Sequence, residues 1–328
     1  MDAPYSRTAD RRGARRAAPE ARDGARDTRT GAPRSGRRGR LARVIGCGAA
    51  AVLVGALSSC TSKPVLLPDA TTGAAAATSS TSKAVVAMPG TLAWDFIHDL
   101  QPTLNAKVGL AIMPVGGDRP VTLGDWSNGP AWSTMKVPLT LAALRQNSGY
   151  TTAATSAITY SDNSAADTLW QSLGSPDAAA STVEAVLREG GDADTKVPAT
   201  RSRAEYSAFG QANWSLTDQL EFASNLPCLP QSDSVTSLMG KISYGQRWGL
   251  GNLEGAEFKG GWGPDPTGNY LVRQFGLIPV DGGELAIAIA TQANSGSFDE
   301  GTTILTKVAA LITKHLGELR GGNCPVPH

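Results

Sequence analysis

Read for its pattern of apolar and polar positions, the chain becomes regular from about residue 91. "LAWDFIHDLQ" (92–101) spaces its apolar residues at helical intervals. "KVGLAIMPV" (107–115) and "PVTLGDW" (120–126) read as two strands joined by the turn "GGDR". Residues 133–146 are helical in pattern, and so are "SAADTLWQSLG" (164–174) and "SPDAAASTVEAVLREGG" (175–191), each stopped by glycine. A polar, irregular stretch runs from 192 to 213, and "SLTDQLEFASNL" (215–226) is helical again. "AEFKGGW" (256–262), "NYLVRQFGLIPV" (269–280) and "GGELAIAIATQA" (282–293) read as strands, the last two joined by "DGG". A long helix over 299–319 follows. Two strands, a block of helices, three strands and a helix predict one α+β domain over 91–328, whose sheet is assembled from both ends of the chain.

The start of the chain has another character. Residues 1–43 hold thirteen arginines against five acidic residues, whereas the rest holds 17 basic against 24 acidic side chains. The folded part is therefore mildly acidic, which disfavours nucleic-acid binding. "VIGCGAAAVLVGAL" (44–57) is apolar but too short to span a membrane, and it suits the core of a secretory signal. Leu57-Ser58-Ser59-Cys60 resembles the lipobox of bacterial lipoproteins, which makes Cys60 the expected lipidation site; a plain export signal with an incidental cysteine is the alternative. Arg37-Arg38 hints at twin-arginine export, but Arg40 stands where an apolar residue belongs. Residues 1–60 thus read as an export signal. Residues 61–90, rich in Ala, Thr, Ser and Pro, read as a disordered tether. The expected product is exported, monomeric, and held on the outer membrane face by lipid or secreted. Cys228 and Cys324 remain in the exported part, where they either form a disulfide or stay buried and unpaired.

Candidate chemistry narrows by elimination. A hydroxyl needs a base to become a nucleophile. The three histidines, His98, His315 and His328, lie far from any promising serine, and no Gly-x-Ser-x-Gly elbow occurs. No His/Cys cluster has metal-ligand spacing, so no cofactor is expected. Ser133-Thr134-Met135-Lys136 places a serine and a lysine one helical turn apart, where a lysine of lowered pKa can act as base. The same spacing also fits a serine that caps a helix beside a solvated lysine. Ser80 and Lys83 repeat the pattern inside the tether, so the tetrapeptide alone decides nothing.

Two further stretches decide more. Ser161-Asp162-Asn163 precedes a helix, and Lys259-Gly260-Gly261 ends a strand. In this order the three motifs resemble the signature set of the serine β-lactamases and penicillin-binding proteins, most closely class A β-lactamases. The flanking residues in "STMKVPLTLAAL" and "AITYSDNSAADTLW" share the likeness, which covers roughly 91–318. The resemblance implies a β-lactamase/transpeptidase-like fold, an antiparallel sheet flanked by helices. It implies Ser133 as the acylated nucleophile, Lys136 as its base or proton shuttle, and Ser161 as the relay to the leaving nitrogen. It further implies Asn163 and Lys259 as substrate-binding groups, and an oxyanion hole from the N–H groups of Ser133 and of Trp262, beside Gly261.

Three departures temper the expected activity. Gly260 stands where the family has Thr or Ser, so a carboxylate grip is missing; Arg273 either compensates or is a surface charge. Only 28 residues separate Ser133 from Ser161, about half the interval of the resembled class, which predicts a more open cleft. Arg201 falls at the place of the loop glutamate that activates the deacylating water, with Glu205 the nearest substitute. The expectation is a serine acyl-enzyme hydrolase or transferase acting on β-lactams or peptidoglycan-type peptides, with doubtful deacylation. The alternative is a non-catalytic cell-wall-binding lipoprotein on the same scaffold.

Overall fold

The computed structural model describes residues 90–325. The expected export signal, Cys60 and all but the last residue of the tether lie outside the described residues, as does His328. The chain enters through α1 (Gly90–Trp94), which runs on in irregular helical turns to residue 103. Three strands follow, β1 (Ala106–Pro114), β2 (Val121–Gly124) and the short β3 (Asn128–Pro130). A tight turn, Trp132–Met135, opens directly into α2 (Lys136–Gln146). Then come α3 (Thr151–Thr159), α4 (Asn163–Ser172) and α5 (Pro176–Glu189). Beyond the loop 190–212 lie β4 (Asn213–Ser215), α6 (Leu216–Asn225) and α7 (Asp233–Met239). The strands β5 (Glu257–Pro264), β6 (Tyr270–Val280) and β7 (Gly283–Ala293) and the helix α8 (Phe298–Lys314) complete the domain.

The sheet order is β2-β1-β7-β6-β5, antiparallel at every pairing. β1 from the start of the domain pairs with β7 from its end, from Ala106↔Ala293 to Pro114↔Leu285. Asp281-Gly282 closes the β6–β7 hairpin in two residues, with Gly282 at φ 86°. That left-handed backbone is open to glycine at little cost. Two helices cover opposite faces. Leu216 of α6 lies over Gly109, whose partner is Ala290, whereas Gly301 of α8 lies over Val272 and Thr291, one position further. Residues 285–290 of β7 are accordingly buried throughout. Side chains cap the helices as the sequence suggests: Ser175 for α5 with Pro176 at its first position, Ser215 for α6 and Ser297 for α8.

The pattern over 133–146 divides at Lys136, where α2 starts after the tight turn. α2 carries no side-chain cap bond, so Ser133 is not its cap. Cys228 and Cys324 are joined in a disulfide across 96 residues of chain.

Candidate active site

Ser133 sits in the turn Trp132–Met135, half-buried. Trp132 before it has φ 50°, a left-handed conformation uncommon outside glycine. This turn is held against β5 with no room between the two backbones. A Cβ on Gly261 would meet Ser133 N, Thr134 N and Ala131 O, each at 2.9 Å. A Cβ on Gly263 would meet the Trp132 indole at 2.6 Å. β5 is an edge strand, so alternate backbone N–H groups on its open side lack a sheet partner. Gly261, which precedes Trp262, therefore lies directly against the Ser133 peptide.

Lys136, one turn after Ser133, is buried. Its Nζ donates to Ser161 O at 2.5 Å, Asn163 Oδ1 at 2.8 Å and Ser161 Oγ at 3.2 Å. Burial lowers its pKa to about 7, against the opposing pull of Asp162 and Asp167. Lys259, on β5, is fully buried, and its Nζ donates to Ser161 Oγ at 3.0 Å and to Gly260 O at 2.9 Å. Burial first, then the nearby Lys136, holds its pKa well below the usual lysine range. Two lysine amines thus meet at one serine hydroxyl. Ser161 itself is at φ 58°, and this backbone turn aims both its carbonyl and its hydroxyl at Lys136. Asp162 caps α4 by accepting from Ser164 N and Ala165 N. The middle residue of the Ser-Asp-Asn motif builds the helix start, while its neighbours face the amines.

The chemistry of this cluster follows from donor counting. A protonated Lys136 has a hydrogen for each of its three partners. A neutral Lys136 has two, which the carbonyl oxygens of Ser161 and Asn163 take, and its lone pair is left to face the Ser161 hydroxyl. Protons can therefore pass between Lys136 and a serine with little atomic movement. Ser161 Oγ, when it accepts from both amines, keeps its own hydrogen free to donate.

Ser133, Ser161, Asn163 and Trp262 line one open cleft of about 350 Å³, together with Trp132, Tyr160, Asp167, Arg201, Glu205, Tyr206 and Gln246 among others. Arg201, which the sequence aligns with the loop glutamate, lines the cleft and pairs with Asp167 at 3.4 Å. Glu205 also lines the cleft, but it is mostly exposed and paired with Arg203 at 3.3 Å. Arg203 in turn donates to Pro264 O at 2.5 Å and lies 4.4 Å over the Tyr206 ring. Gln211 staples the loop by accepting from Ser202 and Arg203 and donating to the carbonyls of Arg203, Tyr206 and Ser207.

One expectation needs correction. Arg273 is neither a carboxylate partner nor a surface charge. It is completely buried, donating to Gly129 O, Pro130 O, Trp214 O and Gln219 Oε1, and it lies 5.1 Å from the Trp126 ring centroid. Its guanidinium stitches β3 and β4 to α6. At Gly260 the absent hydroxyl is not replaced by a charge; Trp248 covers the position, 3.2 Å from where a Cβ would stand. Trp248, Trp262 and Phe298 form an aromatic wall there, with centroids 5.3–6.2 Å apart.

Several lining residues were not chosen from the sequence. Asp167 was within reach, since it stands four residues after Asn163 on the same helix face. Tyr206 and Gln246 come from irregular segments without a motif or period to single them out.

The chain matches no protein-family model and no curated protein. Solved structures do align with it. A class A β-lactamase from Bacteroides cellulosilyticus DSM 14838 is 16% identical, covering 70% of this chain and 98% of its own, with a TM-score of 0.59. The chromosome-encoded β-lactamase of Vibrio parahaemolyticus is also 16% identical, covering 70% and 100%, with a TM-score of 0.55. A β-lactamase from Chitinophaga pinensis DSM 2588 is 18% identical, covering 67% and 97%, with a TM-score of 0.55. The order of strands, the helices on both sheet faces and these alignments lead to one statement of kind: the chain has the fold of the class A β-lactamases.

Proposed function

We propose that this protein is a serine acyl-enzyme hydrolase or transferase whose substrates are β-lactams or peptidoglycan-type peptides. The observation that carries the reading is the meeting of Lys136 and Lys259 at the Ser161 hydroxyl, in the cleft that Ser133 lines. Neutral Lys136 takes the proton of Ser133, and Ser133 Oγ adds to the substrate carbonyl carbon. The oxyanion is held by the N–H groups of Ser133 and Trp262. The carbon–nitrogen bond then breaks as the leaving nitrogen takes the Ser161 proton, which Lys136 replaces. Asn163 holds the substrate, and the buried Lys259 acts on it through the Ser161 hydroxyl.

Release of the acyl group requires an activated water. Arg201 aligns with that glutamate and pairs with Asp167, and Glu205 pairs with Arg203, so both carboxylates that line the cleft are engaged by arginines. The acyl-enzyme is therefore long-lived, closer to a penicillin-binding protein than to an efficient β-lactamase. On this reading the protein works on the outer membrane face, anchored through Cys60, or in secreted form.

Fluorescent penicillin tests the proposal. Stable labelling that vanishes in Ser133→Ala is the expected result. Rapid hydrolysis of a chromogenic cephalosporin without accumulated label would instead indicate an efficient β-lactamase. No labelling and no hydrolysis would defeat the acyl-enzyme reading and favour a cell-wall-binding lipoprotein.

A further inference from the structure

The cleft continues past Ser161 onto a ledge that the proposed chemistry leaves unused. Tyr160, which precedes Ser161, lines the cleft with its side chain 64% exposed. A second segment is clamped beside it: Ser243 N donates to Thr159 O at 3.0 Å, and Gln246 Nε2 donates to Tyr160 O at 2.9 Å. That segment carries Tyr244, 94% exposed. One tyrosine therefore stands in solvent on the cleft, and a second stands in solvent on the segment hydrogen-bonded beside it, two residues before the cleft-lining Gln246. Gln246 adds a polar mark. Its Oε1 is buried and accepts no hydrogen bond, although the residue lines the cleft. A buried acceptor left without a donor is costly, so the site favours a ligand that brings an N–H.

The position of this ledge defines what it would hold. It adjoins Ser161, the donor to the leaving nitrogen, so it lies on the leaving-group side of the scissile bond. In a β-lactam the leaving nitrogen remains within a small ring and stays attached after acylation. In a peptide the leaving group continues as a chain with a backbone N–H at every non-proline residue. Tyrosine faces and an orphan acceptor suit that chain. Resting on the acyl-enzyme reading above, we infer that Tyr160, Tyr244 and Gln246 form a leaving-group subsite for a peptide extending at least two residues beyond the scissile amide.

Protection against labelling tests this without requiring turnover. Peptides with one acyl half and leaving groups of one, two and three residues compete with fluorescent penicillin for Ser133 in the full chain. The three-residue peptide should halve the labelling rate at a concentration at least 10-fold lower than the one-residue peptide. Tyr244→Ala, at a fully solvated position, should erase that difference and leave the labelling rate without peptide within two-fold of the parent. Equal protection by all three lengths, or a length effect that survives in both Tyr244→Ala and Tyr160→Ala, overturns the subsite while the acyl-enzyme reading stands. Failure of penicillin to label the parent protein removes that reading and the leaving-group assignment with it.

Discussion

At the scale of the residue, the decisive property is the proton on Lys136. Its partners are two carbonyl oxygens and a hydroxyl, and burial brings its pKa from 10.5 to about 7. A base must be neutral to accept a proton, so the rate of Ser133 acylation should rise through pH about 7 and level off above it. A labelling rate that falls over this range would remove Lys136 as the base. Lys136→Arg keeps the charge but never deprotonates, and should cost about 10²–10⁴-fold in acylation rate. The same shift links to stability. The folded pKa lies below the unfolded one, so the unfolded chain binds more protons between the two values. Stability therefore rises with pH from about 7 to 10.5, and the penalty is complete below 7. That Lys136 and Ser161 would meet was legible from the motif order. That Lys136 would also hold the Ser161 carbonyl was not, because it depends on the φ of 58° at Ser161, a backbone state the side-chain type does not announce. Arg273 shows the converse. A charge on a strand pattern suggested a ligand partner, yet four internal acceptors drew it into the core.

At the scale of the element, the site is a joint between β5 and the turn before α2. Gly261 is the contact point, and any side chain there meets two backbone nitrogens and a carbonyl at 2.9 Å. Backbone cannot yield as a flexible side chain can, so Gly261→Ala should push the turn from the strand and separate the Ser133 and Trp262 N–H groups. Loss of one oxyanion donor typically costs about 10²–10³-fold, and penicillin labelling should slow by about that factor. Far-UV circular dichroism should be unchanged, and labelling at the parent rate would disprove the joint. β5, β6 and β7 were readable because their apolar runs end at glycine-rich turns. Two helices escaped detection. α3 is rich in threonine and serine, weak helix formers, and is fixed by burying Ala154, Ala157 and Ile158. α7 has seven residues and buries Val235 and Met239. In both, tertiary packing overrides local preference. The strands β3 and β4, three residues each, are too short for any alternation to show.

At the scale of the whole domain, the sheet joins chain ends that lie far apart in sequence, and the disulfide secures the second of those ends. Glu284 bridges to Gly322, and Gly321 N donates to Asp281 O, so the last described residues run along the β6–β7 hairpin. Cys324 then bonds Cys228, beyond α6. The covalent link adds its effect mainly by restricting the unfolded chain; about 3 kcal/mol is a typical gain for a disulfide, below the roughly 5 kcal/mol that chain entropy alone gives for a loop of this length. For a domain of this size each kcal/mol corresponds to about 2–4 °C, so Cys228→Ser/Cys324→Ser should melt about 6–12 °C lower than the parent. The bond lies on the C-terminal segment, whereas the groups around Ser161 come from α2, α4 and β5, which the bond does not touch. Penicillin labelling at 25 °C should accordingly keep its rate in the double variant. A drop in melting temperature with labelling intact would assign the disulfide to stability alone. Loss of labelling in protein that is still folded would show that the C-terminal tie also positions the cleft, and an unchanged melting temperature would mean the terminus is already held by its backbone bonds.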